Sequence, residues 1–301
     1  MNQKNLRKIS IVIPSIAGIS LTSTVDCILS SNIEGFELEI IVVVPSRLES
    51  QAIGLLDGCD VKIIGANKSG QVFQRSIGFK MATGEIVLQL DDDMSFDKNL
   101  IRNLLQILIN MGPGNVVAPL IKDQLSGLCG ERIYTNGLIR TYKNLIDFLI
   151  YGLPWGKKKY GSYSFYCGAR TVNVSNLINN LNEVQWLPGG IVMCFREDLV
   201  FEDFYPLKGK AFAEDLIHSQ IRKANGLKHW IVKDLMTIHC STYVAGKKNY
   251  KDEMSSLFHD LKKYVWISKR LGGSEPRIWI GVIYQFFSGI LFIARKNIKE
   301  H

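Results

Sequence analysis

Short apolar segments recur through the first 120 residues of the chain and alternate with segments of helical spacing. The apolar segments are 9–13, 38–44, 61–64, 86–90 and 116–120, and the helical ones are 22–31, 72–81 and 100–109. Nearly continuous apolar strands are typical of parallel sheets that helices cover on both faces. The alternation therefore predicts an α/β fold with a doubly wound sheet and parallel pairing among these strands.

Three aspartates, Asp91, Asp92 and Asp93, directly follow the apolar segment 86–90. Carboxylates at the end of a buried strand repel one another unless a cation or ligand offsets their charge. Ligands of open α/β sheets bind at the C-terminal ends of strands, and oxygen ligands suit Mg²⁺ or Mn²⁺. The triplet therefore indicates a metal or phosphate site. The alternative is a solvated acidic turn before the helix that begins at Leu100.

The composition narrows the classes of partner. With 36 Lys and Arg against 28 Asp and Glu, the net charge is +8, which favours anionic partners such as nucleotides, diphosphates or an acidic membrane. No GxGxxG follows the first strand and no GxxxxGK[ST] occurs, which argues against dinucleotide-dependent enzymes and P-loop NTPases. Six cysteines without any CxxC pair indicate free thiols of a reducing compartment.

An apolar segment, 278–294, lies near the C-terminus between Arg277 and Arg295. It is slightly shorter than the roughly 20 residues that span a bilayer. Aromatic residues among the apolar ones and basic flanks favour a helix that lies on an anionic membrane face. A buried terminal helix is the alternative interpretation.

Several motifs, taken in order over roughly residues 8–240, resemble the family 2 glycosyltransferases of the GT-A fold. The first strand ends at Pro14, the segment 67–78 contains Lys68 and Arg75, and Asp91–Asp93 stands as the DXD motif. Further along, Trp186-Leu-Pro-Gly189-Gly190 resembles the acceptor-side strand, and Glu214-Asp215 resembles the ED motif. The resemblance implies a GT-A-type doubly wound mixed sheet followed by C-terminal helices.

The resemblance also implies a role for each motif residue. Asp215 is the expected general base and Glu214 supports it or binds the acceptor, although both residues also suit a helix N-terminus. Asp93, Asp91 and His239 are the expected ligands of Mn²⁺ or Mg²⁺, with a purely structural role as the alternative for His239. The expected donor contacts are Pro14, Ser15, Lys68, Arg75, Asp91 and Asp92. The expected acceptor contacts are Trp186, Gly189 and Gly190.

The implied reaction is the metal-dependent, inverting transfer of one sugar from a nucleotide diphosphate sugar, UDP- or dTDP-linked, to a hydroxyl of a saccharide or lipid-linked acceptor. No QxxRW signature occurs, which favours single-sugar transfer, and no nucleic acid partner is expected. The family usually has an acidic pair after the second strand, where this chain has Val44-Pro45-Ser46, and Asn after the helix Arg, where this chain has Ser76. These two differences leave the identity of the nucleotide base open. The alternatives are a sugar nucleotidyltransferase and an inactive nucleotide-sugar-binding protein.

We expect a catalytic domain over residues 1–245, with a nucleotide-sugar half at about 1–120 and an acceptor half at about 121–245. A helical segment over 246–301 associates with the membrane in this interpretation. The protein is then expected to be cytoplasmic and peripheral on the inner face of the cell membrane, where it serves the synthesis of cell-surface polysaccharide or glycolipid.

Overall fold

The computed structural model describes residues 8–127, 129, 137–151, 174, 177–207, 211, 213–240 and 250–299. Contacts group the chain into two units. The first contains residues 1–130 and 173–242, and the second contains residues 131–172 and 243–301. The second unit thus takes in residues 131–172, which the expected catalytic domain over 1–245 includes. The domain division itself stays a prediction.

A mixed sheet forms the centre of the first unit. Its strands, within the described residues, are β1 (Lys8–Pro14), β2 (Glu37–Pro45), β3 (Lys62–Ala66), β4 (Ile86–Leu90), β5 (Met94–Phe96), β6 (Asn115–Asp123), β7 (Leu181–Val184), β8 (Ile191–Phe195) and β9 (Lys228–His239). They lie in the order β3-β2-β1-β4-β8-β6-β9-β5, and β7 pairs with β9.

Eight α-helices occur in the described part of the chain. They are α1 (Ser20–Leu29), α2 (Glu49–Leu55), α3 (Gln71–Met81), α4 (Leu100–Met111), α5 (Gly137–Tyr151), α6 (Glu214–Ala224), α7 (Tyr250–Arg270) and α8 (Glu275–Lys299). The α5, α7 and α8 helices belong to the second unit and the others to the first.

The first four strands of the sheet pair in parallel, as their apolar sequences predict. β1 pairs with both β2 and β4, and β2 pairs with β3. The prediction of parallel pairing is wrong beyond this point, because β8 is antiparallel and lies between β4 and β6. The parallel neighbour of β6 is β9. A continuous apolar strand indicates burial on both faces, which β6 has, but it does not identify the neighbouring strand.

The core of the first unit lies between the sheet and its covering helices. Every residue of β4 is buried, and α4 buries one face against the sheet, including Leu104 and Leu108. On α3, Gly78 allows close packing against β1 and β2, since a Cβ there would meet side-chain atoms of Val12 and Val43. The strand ends that carry the aspartates are thereby supported by close-packed secondary structure.

The second unit contains three helices that pack on one another. Ile150 of α5, Tyr264 of α7 and Ile278 of α8 form a small buried cluster. Arg277 donates a hydrogen bond to the carbonyl of Phe148, which joins the start of α8 to the end of α5. The sequence also predicts a helical apolar run over 145–153. The α5 helix contains residues 145–151 of this run, and residues 152 and 153 lie outside the described residues. None of the helices in the described part combines the length and the hydropathy that a membrane span requires.

The close packing at Gly78 gives a test of the fold. We expect Gly78→Ala to lower the free energy of unfolding by about 1–3 kcal/mol, because the added methyl group overpacks the contact with Val12 and Val43. Chemical denaturation measures the change. The matched control is Gly54→Ala on α2, where an added Cβ meets nothing within 4 Å. This control should stabilise the protein by about 0.5–1 kcal/mol. Equal effects of the two substitutions would contradict the packing.

Candidate active site

The three aspartates lie where β4 leaves the sheet, beside β8 and β9. The backbone N–H of Asp91 donates to the carbonyl of Gly190 at 2.8 Å, just before β8 begins. The N–H of Cys240 donates to the carbonyl of Asp93 at 2.7 Å, and β5 pairs with the end of β9 through the register of Met94 with His239. Backbone hydrogen bonds on both sides therefore fix the triplet.

Arg75 connects the aspartate triplet with the acidic pair at the start of α6. One terminal nitrogen of its guanidinium donates to Asp91 Oδ1 at 2.6 Å, and the other donates to Glu214 Oε1 at 2.5 Å. The side chain is buried, with 2% of the residue exposed. Burial by itself lowers the pKa of Arg75, but the charges and hydrogen bonds of Glu214 and Asp91 raise it above its ordinary value. Arg75 is therefore a charged bridge between the two predicted halves of the site.

Three glutamines complete this polar network, and none of them was predicted from the sequence. Gln71 donates to Asp91 Oδ1 at 2.9 Å, and Gln89 donates to the carbonyl of Gly189 at 2.5 Å. Gln74 donates to the carbonyls of Ser15 and Val43 at 2.7 and 2.6 Å. The one available signal was Gln89, a polar residue inside the apolar run of β4, since a buried amide needs hydrogen-bond partners.

Gly189 and Gly190 occupy positions where a side chain does not fit. A Cβ on Gly189 would lie 2.7 Å from Glu214 Oε1, and the carbonyl of Gly189 also accepts from Arg75 at 3.2 Å. A Cβ on Gly190 would meet the methyl group of Met94. Both glycines thus allow the turn before β8 to approach the acidic groups, while their contact with an acceptor stays a prediction.

Asp93 and His239 form the part of the site that suits a metal ion. His239 Nε2 lies 3.0 Å from Asp93 Oδ2, and its Nδ1 lies 3.7 Å from Asp123 Oδ2. The hydrogen bond with Asp93 is the main cause that raises the pKa of His239, and burial opposes it. The other carboxylate oxygen of Asp93, Oδ1, is buried and has no hydrogen-bond partner. A carboxylate oxygen without a partner is a donor that suits Mn²⁺ or Mg²⁺, and the imidazole beside it would add a nitrogen donor.

Within the described residues, no group of three His, Cys, Asp or Glu side chains lies close enough to hold a metal ion alone. Mg²⁺ and similar ions usually bind through one or two carboxylates together with the phosphates of a substrate. A site built on Asp93 would therefore need the substrate to complete it. Asp91 is less suited to this role than Asp93, because its Oδ1 already accepts from Arg75 and Gln71. The metal roles of all three predicted ligands remain predictions.

Asp92 lies on the β1 side of the triplet. The hydroxyl of Ser15 donates to its carboxylate and also accepts from the N–H of Ala17 at 2.9 Å. Burial raises the pKa of Asp92 to about 6, the Ser15 hydrogen bond opposes this rise, and the charges of Asp93 and Asp91 add to it. Pro14 ends β1 directly before this contact. The structure thus joins two predicted donor-binding positions, Ser15 and Asp92.

The α6 helix begins with the acidic pair Glu214-Asp215, directly after a residue with a strained backbone. Ala213 has φ +55°, in the left-handed region that non-glycine residues rarely adopt. Glu214 is buried against Arg75, whereas Asp215 is half-buried and its Oδ1 accepts from the N–H of Leu216 at 3.0 Å. One residue thus points into the ionic network and the next remains partly accessible. Both also occupy the helix N-terminus, where negative charge is stabilised.

Two predicted site residues lie outside this network. Trp186 is only 2% exposed, and its contact with an acceptor stays a prediction. Its indole contributes to the core. Lys68 is paired with Asp203 at 2.7 Å and lies over the ring of Phe73, and none of the described contacts joins it to the aspartates. The donor contact of Lys68 stays a prediction.

Two further basic side chains are buried on α6, the helix that begins with Glu214. Arg222 and His218 are both buried on α6, and the ring of His218 packs against Phe204 with centroids 5.2 Å apart. Burial is the main cause that holds the pKa of His218 well below its ordinary value, and the charges of Arg222 and Arg75 add to it. His218 is therefore neutral, and the positive charge next to Glu214 comes from the arginines.

A family model described as "Glycosyl transferase family 2" matches residues 10–171, which is more than half of the chain. No curated protein is similar to the chain at a significant level.

Solved structures provide a comparison of the fold. A crystal structure described as "GalNAc-T7 with UDP, GalNAc and Mn2+" has a TM-score of 0.55 at 16% identity, over 89% of this chain and 48% of that chain. This chain thus spans about half the length of that protein. "S. aureus TarS 1-349" has a TM-score of 0.49 at 15% identity, over 88% of this chain and 70% of that chain. The predicted GT-A fold, with its mixed sheet and helices, is confirmed.

The ionic bridge at Arg75 can be tested through stability. We expect Arg75→Met to lower the free energy of unfolding by about 3–5 kcal/mol, because the buried Glu214 and the partly buried Asp91 lose the cation that offsets their charge. The control is Lys68→Met, which removes an exposed ion pair with Asp203 and should change stability by about 0–1 kcal/mol. Chemical denaturation at neutral pH compares them. Similar losses in both variants would show that Arg75 does not bridge buried charges.

Proposed function

Because the chain belongs to glycosyl transferase family 2, we propose that this glycosyltransferase moves one sugar from a nucleotide diphosphate sugar to an acceptor hydroxyl, with inversion and with the help of a divalent metal. The observation that carries the proposal is the ionic bridge from Asp91 through Arg75 to Glu214. It joins a carboxylate cluster suited to a metal and diphosphate with a second acidic pair suited to an acceptor. Glycosyl transfer needs both groups at one place.

The donor side of the proposed site consists of the aspartates and the residues that hold them. Asp93 and His239 would bind Mn²⁺ or Mg²⁺, which supplies Lewis-acid stabilisation of negative charge on the leaving diphosphate. Ser15 orients Asp92 through its hydrogen bond, and Gln71 and Arg75 orient Asp91. These contacts hold the carboxylates before the substrate binds, so little reorganisation accompanies the reaction.

The acceptor side consists of Glu214 and Asp215. We assign Asp215 as the general base that removes the proton of the acceptor hydroxyl, because it is the more accessible of the two carboxylates. Glu214 is then a positioning residue, since its contact with Arg75 fixes the first turn of α6. The hydroxyl attacks the anomeric carbon on the face opposite the diphosphate, so the configuration at that carbon inverts.

A UDP- or dTDP-linked sugar is the proposed donor, and a saccharide or lipid-linked hydroxyl is the proposed acceptor. The structurally similar GalNAc-T7 was crystallised with UDP, GalNAc and Mn²⁺, which supports a uridine nucleotide and a divalent ion on the same fold. The proposed setting is the synthesis of cell-surface polysaccharide or glycolipid by a peripheral protein at the cytoplasmic face of the cell membrane.

The metal role of Asp93 can be tested by binding and by turnover. We expect Asp93→Asn to weaken Mn²⁺ binding in the presence of a nucleoside diphosphate by about tenfold or more, measured by titration calorimetry. Turnover should fall by orders of magnitude, because the buried carboxylate oxygen is replaced by a weaker neutral ligand. The control is Asp57→Asn, an exposed aspartate beyond α2 that should change neither quantity. Unchanged Mn²⁺ affinity in Asp93→Asn would rule out this ligand.

The assignment of Asp215 predicts a loss of rate with intact donor binding. We expect Asp215→Asn to lower kcat by about 10²–10⁴ while the affinity for the nucleoside diphosphate is retained, because a general base acts only on the acceptor. The control is Asp234→Asn, an exposed carboxylate on β9. The wild-type product should contain an inverted anomeric centre by NMR and be accompanied by a nucleoside diphosphate. Release of pyrophosphate would instead indicate a nucleotidyltransferase.

A further inference from the structure

The second unit presents apolar side chains to solvent on two helices that contact each other. On α8 these side chains recur at helical spacing: Ile280, Ile283, Phe287 and Leu291. On α5 the equivalent residues are Leu138, Tyr142, Leu145 and Leu149. Side chains three or four positions apart lie on the same side of a helix, so each set forms a stripe. We call the two stripes together the apolar face.

The opposite side of α8 already has its packing partners. Ile278 and Gly281 are buried next to Tyr264 and Ile150, and Gly289 lies against the side chain of Leu257. The α8 helix is therefore apolar on the side that packs and also on the side that faces solvent. A helix of a globular unit usually has polar residues on its solvent side. Phe287, at 61% exposed, and Trp279, at 56%, show the departure most clearly.

The charge of the chain is concentrated in the same unit. Residues 131–172 and 243–301 contain 18 Lys and Arg against 7 Asp and Glu, which gives +11. The remaining residues contain 18 against 21, which gives −3, so the two values add up to the net charge of +8. Basic residues combined with a solvent-facing apolar stripe are the composition that suits an anionic lipid surface. A nucleic acid would use the positive charge and leave the apolar face unexplained.

We propose that the apolar face docks on an anionic phospholipid bilayer. The α5 and α8 helices lie in the plane of the interface, with the apolar stripes among the acyl chains and the basic residues of the unit near the lipid phosphates. Tyr142 and Trp279 are of the residue types that favour the headgroup level. This inference rests on burial and charge alone and does not depend on the proposed sugar transfer.

Vesicle binding by the full-length protein tests the docking. We expect co-sedimentation with vesicles that mix phosphatidylcholine and phosphatidylglycerol, little with pure phosphatidylcholine, and a decrease as salt is added. The double variant Ile283→Ser, Phe287→Ser should lower the partition coefficient by about tenfold or more, because two apolar side chains no longer leave water. The matched control is Ile53→Ser, which removes an exposed apolar side chain of α2 and should bind like the wild type.

Three results would overturn the proposal: absence of wild-type binding to the anionic vesicles, equal binding by the double variant, or equal binding to the neutral vesicles. A wild-type dimer that the double variant dissociates, without vesicle binding, would instead assign the apolar face to contact between copies of the chain. Circular dichroism and binding of a nucleoside diphosphate verify that the variant remains folded. Loss of glycosyl transfer with normal vesicle binding would affect the proposed function only.

Discussion

The guanidinium of Arg75 is buried at a point where carboxylates from two distant segments of the chain meet. Asp91 comes from the end of β4 and Glu214 from the start of α6, and the carbonyl of Gly189 adds a third segment. Three parts of the chain therefore converge on one cation. Burying any of these charges alone would be strongly unfavourable, so each part stays in place because the others do. The geometry of the candidate site is in this sense a consequence of pairing one buried charge.

The acidic residues of the site could be predicted from sequence because their positions follow from simple rules. An apolar strand that runs into Asp91, Asp92 and Asp93 predicts a ligand site at this edge of the sheet, and the triplet does directly follow the C-terminal end of β4. Arg75 was expected to contact the donor, and its contacts with two carboxylates were not foreseen. Such a bridge depends on the distance between segments in space, which sequence spacing does not report. The buried glutamines that hold Asp91 and Ser15 were missed for the same reason.

The strands with long apolar runs were predicted, and the strands that depend on pairing were not. β1, β2 and β4 appear close to their expected bounds, whereas β5 has three residues and β7 has four, too few for any period to be visible. The antiparallel position of β8 was also missed, since a buried strand has the same apolar sequence in either direction. The burial of Trp186 in the core was not foreseen either, because its neighbourhood of two glycines does not report what packs around the indole.

The position of β8 in the sheet has a consequence for how the chain folds. β3, β2, β1 and β4 come from the first 90 residues and pair with one another. The second neighbour of β4 is β8, about 100 residues later in the chain, and among the described strands β6 pairs with β8 and β9. During synthesis the edge of β4 therefore stays unpaired until residues 191–195 emerge. Non-local pairing of this kind is slow and leaves a strand edge open to association, so the chain is most exposed to aggregation before its site can form.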